Sequence, residues 1–234
     1  MPNKHIELKI ADGSKMHGFV CFPDHAGPFP AIIVLQEAFG VNHHIKKITA
    51  RLASEGYLAI APELFHRTAP PGFEGNYTHF DSVKPHMQGI NVQGLSDDLK
   101  ATHDWLVGQS YVAKDKVASL GFCMGGRVSF LANAVLPLAC AVSYYGGNMP
   151  SVIDKVASLH GPQLFFWGGL DKHITPEQIE TVISAMQKAG KPHINVVFSY
   201  ADHAFNCDER VNYHPRAAAE AWAMTLAFLK NNFG

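Results

Sequence analysis

Val117-Ala118-Ser119-Leu120-Gly121-Phe122-Cys123-Met124-Gly125-Gly126 is the stretch on which the reading of this chain turns. Val117 to Gly121 is a short apolar run of the kind that forms a strand covered on both faces. Gly126 to Ala134 suits a helix directly after it. Between them, Gly121-Phe122-Cys123-Met124-Gly125 has the spacing of a sharp strand-to-helix turn with a nucleophile at its apex, here a thiol where a hydroxyl is usual. Glycines flank the apex for a steric reason, since side chains there would strike the neighbouring strand and helix. The helix N-terminus then faces the sulfur and favours its anionic form. The competing reading makes Cys123 a small buried apolar residue in a glycine-rich turn.

Working outward, Ala31 to Leu35 is another uninterrupted apolar run. A helix is expected from about His44 to Glu55, with Ile48 and Leu52 on one face and Gly56 as its stop, and Tyr57 to Ala61 is the next strand. The N-terminus differs: Ile6, Leu8 and Ile10 alternate with His5, Glu7 and Lys9, and Asp12-Gly13 turns the chain into Lys15 to Phe22 as an antiparallel ribbon. Further on, Leu95, Leu99, Thr102 and Leu106 predict a helix through about Val107. Strands are expected at Leu138 to Tyr144, Gln163 to Trp167 and Ile194 to Tyr200. Between the last two, Thr175-Pro176-Glu177-Gln178 combines a capping box with proline at the first helical position, and Gly190 closes that helix. Ala218, Trp222, Leu226 and Leu229 mark a final helix.

Alternating strands and helices predict an α/β fold, with a mostly parallel twisted sheet, helices on both faces and an N-terminal antiparallel ribbon. A single domain over residues 1–234 is expected, with its active site at the carboxyl ends of the strands. His66 to Asn91 (66–91) contains Pro70-Pro71-Gly72 and no clear period, so it reads as a loop over that active-site edge.

Apolar residues make up 47% of the 234 and charged ones 17%, with a formal net charge of −1, which argues against disorder and against a polyanion-binding surface. Nucleic acid is not an expected partner. No apolar run reaches the roughly 18 residues a membrane span needs, and no signal-like segment opens the chain. Four cysteines, at 21, 123, 140 and 207, show neither C-x-x-C spacing nor a disulfide framework, so reduced thiols in the cytoplasm are expected. Fourteen histidines raise the question of metal, but H-E-x-x-H is absent and His43-His44 lacks a nearby third ligand. No metal and no cofactor are expected.

Two further residues join Cys123. Asp171 follows the strand Gln163 to Trp167, and His203 follows Ile194 to Tyr200 in Asp202-His203-Ala204-Phe205. Nucleophile, acid and histidine thus stand in the chain order of the α/β-hydrolases, each on a loop after an expected strand. Asp171 alone would pass for a turn former, and His203 for a surface loop histidine. Asp202 is the rival acid, although an immediate sequence neighbour seldom points at its own histidine's ring. In such a fold the loop Gln36-Glu37-Ala38-Phe39-Gly40 supplies one oxyanion-hole amide, that of Ala38, and the residue after the nucleophile, Met124, supplies the other. A carboxylate at Glu37 is unusual for a plain esterase because its charge opposes a thiolate. Its alternative is a solvent-facing loop acid.

Gln36-Glu37-Ala38-Phe39-Gly40, Gly121-Phe122-Cys123-Met124-Gly125-Gly126, Tyr144-Tyr145-Gly146, Gly169-Leu170-Asp171 and Asp202-His203-Ala204-Phe205 together resemble the dienelactone hydrolase family. The resemblance spans nearly the whole chain. It implies a hydrolase of small carboxylic esters or lactones that needs no cofactor, with Cys123 as nucleophile, His203 as base, Asp171 as orienting acid and Glu37 holding the resting thiol. It also implies that substrate moves the glutamate onto the thiol and that the thiolate forms only then, which protects the sulfur from oxidation. Tyr144, Phe39 and Phe205 are the expected pocket residues, with Tyr144 alternatively a core residue. After His203 no base occurs until Arg210, so the family's carboxylate-clamping arginine near the histidine has no counterpart, and Arg67 or Lys84 is left to supply a positive contact. A broad esterase or thioesterase would use the same residues; a redox-sensing thiol protein or a silent ligand binder lies further off.

Overall fold

Residue alternation makes the first element, and its consequence runs through the N-terminal half. Strand β1 (Asn3–Lys9) buries Leu8 and exposes Glu7 and Lys9, and it pairs antiparallel with β2 (Lys15–Cys21) from Asn3↔Cys21 to Lys9↔Lys15. The turn is closed by Ile10 and Ser14 across Gly13, whose φ of 85° a side chain would disfavour, and by Asp12 Oδ1 accepting from the Ser14 amide at 2.9 Å. The computed structural model describes all residues, Met1–Gly234.

Strand β3 (Phe29–Leu35) is the apolar run, with Ala31 through Leu35 fully buried. Helix α1 (His43–Ser54) follows, capped by Asn42, whose side chain accepts from the Ile45 amide at 3.2 Å, and it buries Ile45, Ile48 and Leu52. Each such buried aliphatic side chain contributes roughly 1.5–3 kcal/mol. Strand β4 (Leu58–Pro62) lies parallel to β3 and antiparallel to β2, giving the order β1-β2-β4-β3.

The segment after β4 departs from a structureless loop. It holds a 3₁₀ turn (Phe80–Ser82) and a short helix α2 (Lys84–Gln88), and Glu74 bridges to Gly40. Phe73, Tyr77 and Met87 pack on the buried cluster Ala38, Phe39 and Val83. Five residues with Pro85 at the start are too few to carry a helical period, which is why the sequence pattern missed them. Helix α3 (Val92–Val107), capped by Asn91, presents Leu95, Leu99 and Leu106 to the core. It also presents buried Asp98, which takes a forked pair of hydrogen bonds from Arg67, both at 2.9 Å, and one with His66 Nε2 at 3.0 Å. Arg67 reaches Asp12 as well, so of the two candidates for a positive substrate contact Arg67 is engaged within the fold, whereas Lys84 makes only an exposed pair with Asp81. Breaking a buried pair such as Arg67–Asp98 costs roughly 3–5 kcal/mol, enough to pin the start of the segment.

Strand β5 (Val112–Phe122) starts earlier than its apolar run because Lys114, Asp115 and Lys116 extend it on the solvent side. Contacts concentrate in two compact units, Met1–Ala118 and Ser119–Gly234, and the division falls inside β5, where no linker exists. The second unit continues with α4 (Met124–Val135), β6 (Cys140–Tyr144), a 3₁₀ stretch (Met149–Ser158), β7 (Gln163–Gly168), α5 (Pro176–Lys188), β8 (His193–Phe198) and α6 (Pro215–Phe233). Strands β6, β7 and β8 are parallel neighbours in that order. Thr175 and Gln178 form the expected capping box of α5, and Gly190 follows it with φ 63°. Helix α6 buries Ala218, Ala221, Trp222, Thr225 and Leu229, while Leu226 is half-buried at the stripe's edge. No helix is long and apolar enough to cross a membrane.

Candidate active site

Cys123 is forced out of ordinary backbone geometry by the turn it occupies. It is the residue before α4, with φ 53° and ψ −116°, a left-handed conformation that costs a non-glycine residue roughly 1–3 kcal/mol and persists only where the surroundings dictate it. They do so here. Its amide donates to Tyr144 O at 3.0 Å, and its carbonyl accepts from Gly126 and Gly147 at 3.0 and 3.3 Å. A Cβ on Gly121 would lie 1.9 Å from Gly125 O, and one on Gly126 would lie 2.8 Å from both the Gly146 Cα and the Ser143 Oγ. The glycines of the motif are therefore required by contact between β5, α4 and β6. The amide of Met124, first residue of α4, opens the helix beside the thiol.

Two loops after later strands bring an imidazole to the thiol. His203 Nδ1 lies 2.7 Å from Asp171 Oδ2, and the Cys123 thiol lies close enough to the ring to act on its charge. Asp171 Oδ1 accepts from the amides of His173 and Ile174 at 2.7 and 3.2 Å, which fixes the carboxylate before it meets the ring. Burial pushes the Asp171 carboxyl up, but the His203 hydrogen bond and charge and those two amides outweigh it and hold the group below its ordinary range. Burial likewise pushes His203 down, yet its hydrogen bond to Asp171 and then the neighbouring Cys123 thiol, with the charge of each, raise it to about 10. Such an imidazole is suited to carrying the proton of the neighbouring thiol. Asp202, the rival acid, instead accepts from the His203 backbone amide at 2.6 Å.

The pocket aromatics fall differently from the sequence expectation. Tyr144 is fully buried among Phe122, Phe166 and Phe205, and its hydroxyl hydrogen-bonds Thr225 Oγ1 at 2.7 Å, so it packs the core. Strand side chains alternate sides, and the next residue, Tyr145, meets the His203 ring at 5.2 Å with φ 38°. Phe205 is buried against Tyr145 at 5.1 Å and Phe198 at 5.3 Å. Two more residues went unmarked in the sequence. The His173 ring stands edge-on to His203 at 5.7 Å, and half-buried Arg127, one turn into α4, donates to Ser151 Oγ at 3.4 Å. Burial lowers the Arg127 guanidinium, whereas the charge of Cys123 opposes that fall.

In the first unit, the loop after β3 carries its own constellation. Glu37 is fully buried, which removes the solvent-facing alternative. Its Oε2 accepts from the Tyr77 hydroxyl at 3.3 Å, and Oε1 has no hydrogen-bond partner. The Tyr77 oxygen in turn accepts from Asn42 Nδ2 at 2.8 Å. Ala38 and Phe39 are buried beside it, with the Phe39 and Tyr77 rings 4.6 Å apart. Gly40 has φ 77°, and a Cβ there would lie 2.3 Å from Phe73 O, so this glycine lets the 66–91 segment close on the loop.

Parallel strands alternating with helices, a thiol in a left-handed elbow, and an acid and a histidine on loops after later strands define an α/β-hydrolase. Within that class the chain belongs to the dienelactone hydrolase family, which it matches over residues 16–233 under the description "Dienelactone hydrolase family". A Yersinia pestis protein provisionally named a carboxymethylenebutenolidase is 36% identical over 227 residues, covering 92% of this chain and 84% of that protein. A protein of the same provisional name from Escherichia coli K12 is 34% identical over 239 residues, covering 96% and 85%. Among solved structures, a provisionally named dienelactone hydrolase from Klebsiella pneumoniae superposes with TM-score 0.86 at 32% identity, over 98% of this chain and 99% of that one. A dienelactone hydrolase-like promiscuous phosphotriesterase from metagenomic libraries shares the fold, with TM-score 0.86 at 22% identity and full coverage of both chains. The protein is accordingly a hydrolase of the carboxylic ester type.

Proposed function

We propose that this hydrolase cleaves a small carboxylic ester or lactone with Cys123 as nucleophile, His203 as its base and Asp171 as the group that orients His203. The observation that carries the reading is the 2.7 Å hydrogen bond that fixes the His203 ring on Asp171, with the Cys123 thiol beside that ring at a strained elbow. The Cys123 sulfur attacks the carbonyl carbon, and the amides of Ala38 and Met124 are the donors assigned to the tetrahedral oxyanion. The alkoxide leaves with a proton from the His203 imidazolium, giving an acyl-cysteine. Water, deprotonated by His203, then hydrolyses the thioester and restores the thiol. Reaction with a p-nitrophenyl ester, quenched in acid within the first turnover, is expected to leave one acyl group, and peptide mapping should find it on Cys123. An acyl group on any other residue, or none during a burst of nitrophenol, would sink the reading.

Glu37 has the part of keeping the resting thiol neutral and, when substrate binds, of taking the thiol's proton and passing it to His203, whose imidazolium then protonates the leaving alkoxide. Its burial and its one unpartnered oxygen support that part, since a carboxyl tied by a single bond can change partners. Replacing Glu37 with Gln removes the opposing charge and the proton acceptor together. Iodoacetamide should then alkylate Cys123 faster at neutral pH, while kcat for one ester falls at least about tenfold. If neither rate moves, Glu37 is a buried structural acid and the resting state is an ordinary thiolate–imidazolium pair.

A further inference from the structure

Tyr77 lies on the segment that the sequence left as a loop, 40 residues from the glutamate it touches, and nothing in the mechanism above uses it. Its surroundings are specific. The hydroxyl donates to Glu37 Oε2 at 3.3 Å and accepts from Asn42 Nδ2 at 2.8 Å, so the proton direction along Asn42, Tyr77 and Glu37 is set. An amide N–H can only donate, which leaves the phenol hydrogen to point at the carboxylate. Asn42 is itself fixed, because its Oδ1 caps α1 through the Ile45 amide at 3.2 Å. The Tyr77 ring is held at 4.6 Å from the Phe39 ring, two residues beyond Glu37. Position and direction of the phenol are thus determined by elements on both sides of the catalytic loop.

The strengths of the two bonds differ in a useful way. At 2.8 Å the Asn42 bond has ordinary length, whereas 3.3 Å is long for a hydroxyl donor, whose preferred distance is about 2.7–2.8 Å. The glutamate is held firmly enough to be placed and loosely enough to leave.

We propose that Tyr77 is a positioning residue that parks the Glu37 carboxylate in its resting place through a hydrogen bond that breaks when substrate draws Glu37 away. The inference rests on the role of Glu37 given above and adds that the 66–91 segment supplies the latch. Any ligand that shifts Tyr77 therefore also frees the glutamate.

The test is a double-mutant cycle of Tyr77→Phe with Glu37→Gln, read as kcat, KM and iodoacetamide alkylation of Cys123. Phenylalanine keeps the ring against Phe39 and removes only the hydroxyl. In the wild-type background, Tyr77→Phe should raise alkylation about 3- to 10-fold and lower kcat by a similar factor, with KM nearly constant, as fits the loss of one long hydrogen bond. In the Glu37→Gln background the same substitution should change neither rate further, because the group it acts through is gone. Equal losses in both backgrounds would make Tyr77 a structural residue and overturn the proposal, as would no effect in either. Glu37→Gln alone reports on the underlying role, so its failure is seen separately from that of Tyr77. Should Tyr77→Phe fold poorly, Asn42→Ser keeps an oxygen to cap α1 and withdraws the donor from Tyr77; it should shift both rates in the same directions, and unchanged rates would count against the latch.

Discussion

A folded Cys123→Ala protein is expected to hydrolyse a p-nitrophenyl acetate type ester at least about a thousandfold more slowly than the wild type, as when one member of any such triad is removed. The magnitude follows from what remains: an oxyanion site and a histidine with no nucleophile to activate. The other thiols cannot substitute. Cys21 and Cys140 are fully buried, and burial pushes them up to about 11 and about 12, far from a nucleophilic state at neutral pH. Cys207 is buried as well. Replacing any of these three with serine or alanine should therefore leave turnover within a few-fold of wild type. Retention of more than a tenth of wild-type turnover by Cys123→Ala, a difference below about 1.4 kcal/mol, would remove Cys123 from the chemistry. Circular dichroism on the same sample separates lost chemistry from lost fold, and the substitution is not itself expected to unfold the elbow, because Ala carries the same Cβ and leaves the left-handed backbone as it was.

How far the sequence reaches can be judged from particular residues. The elbow was legible because Gly121 is demanded by the backbone of Gly125 and Gly126, within the motif itself, so the motif states its own geometry, whereas Gly126 answers to Ser143, Tyr144 and Gly146 further along the chain. The α5 capping box and the β1–β2 turn were legible for the same reason, being local. Asp171 and His203 needed only chain order and strand ends, and the 2.7 Å contact between them crosses 32 residues that the parallel β7 and β8 bring into register. Tyr144 and Tyr145 mark the limit. Alternation along a strand says that adjacent side chains face opposite ways, but which one meets His203 depends on how β6 ends, and the positive φ of Tyr145 is invisible in the letters. The 66–91 segment lies beyond that limit. Its hydrogen bonds with Glu37, Phe39 and Asp98 span 31 to 40 residues, and its short helical pieces carry no period. Arg67 likewise read as a free loop cation, whereas the structure commits it to two aspartates.

Asp171→Asn should depress turnover by a factor on the order of a thousand or more, and Asp202→Asn should cost no more than a few-fold. Both carboxylates lie within a hydrogen bond of His203, so proximity alone does not rank them. Geometry does. Asp171 meets the ring at Nδ1, 2.7 Å away, and has its other oxygen held by two amides, so it both selects the tautomer and stabilises the imidazolium. An asparagine there would keep the two amide bonds through its carbonyl oxygen and turn its NH₂ toward Nδ1. That donor requires an unprotonated Nδ1, which places the imidazole proton on Nε2 and leaves no base facing the thiol. Asp202 accepts instead from the His203 backbone amide, a turn contact that asparagine's carbonyl oxygen reproduces. The pH dependence should separate the two as well. With the negative charge of Asp171 gone, one contribution that lifts His203 to about 10 is lost, so the imidazolium of Asp171→Asn should titrate below that of the wild type. Histidine resonances followed by NMR in the two variants would report this shift directly. A greater loss of turnover in Asp202→Asn than in Asp171→Asn, or an unmoved His203 titration in Asp171→Asn, would transfer the orienting role away from Asp171.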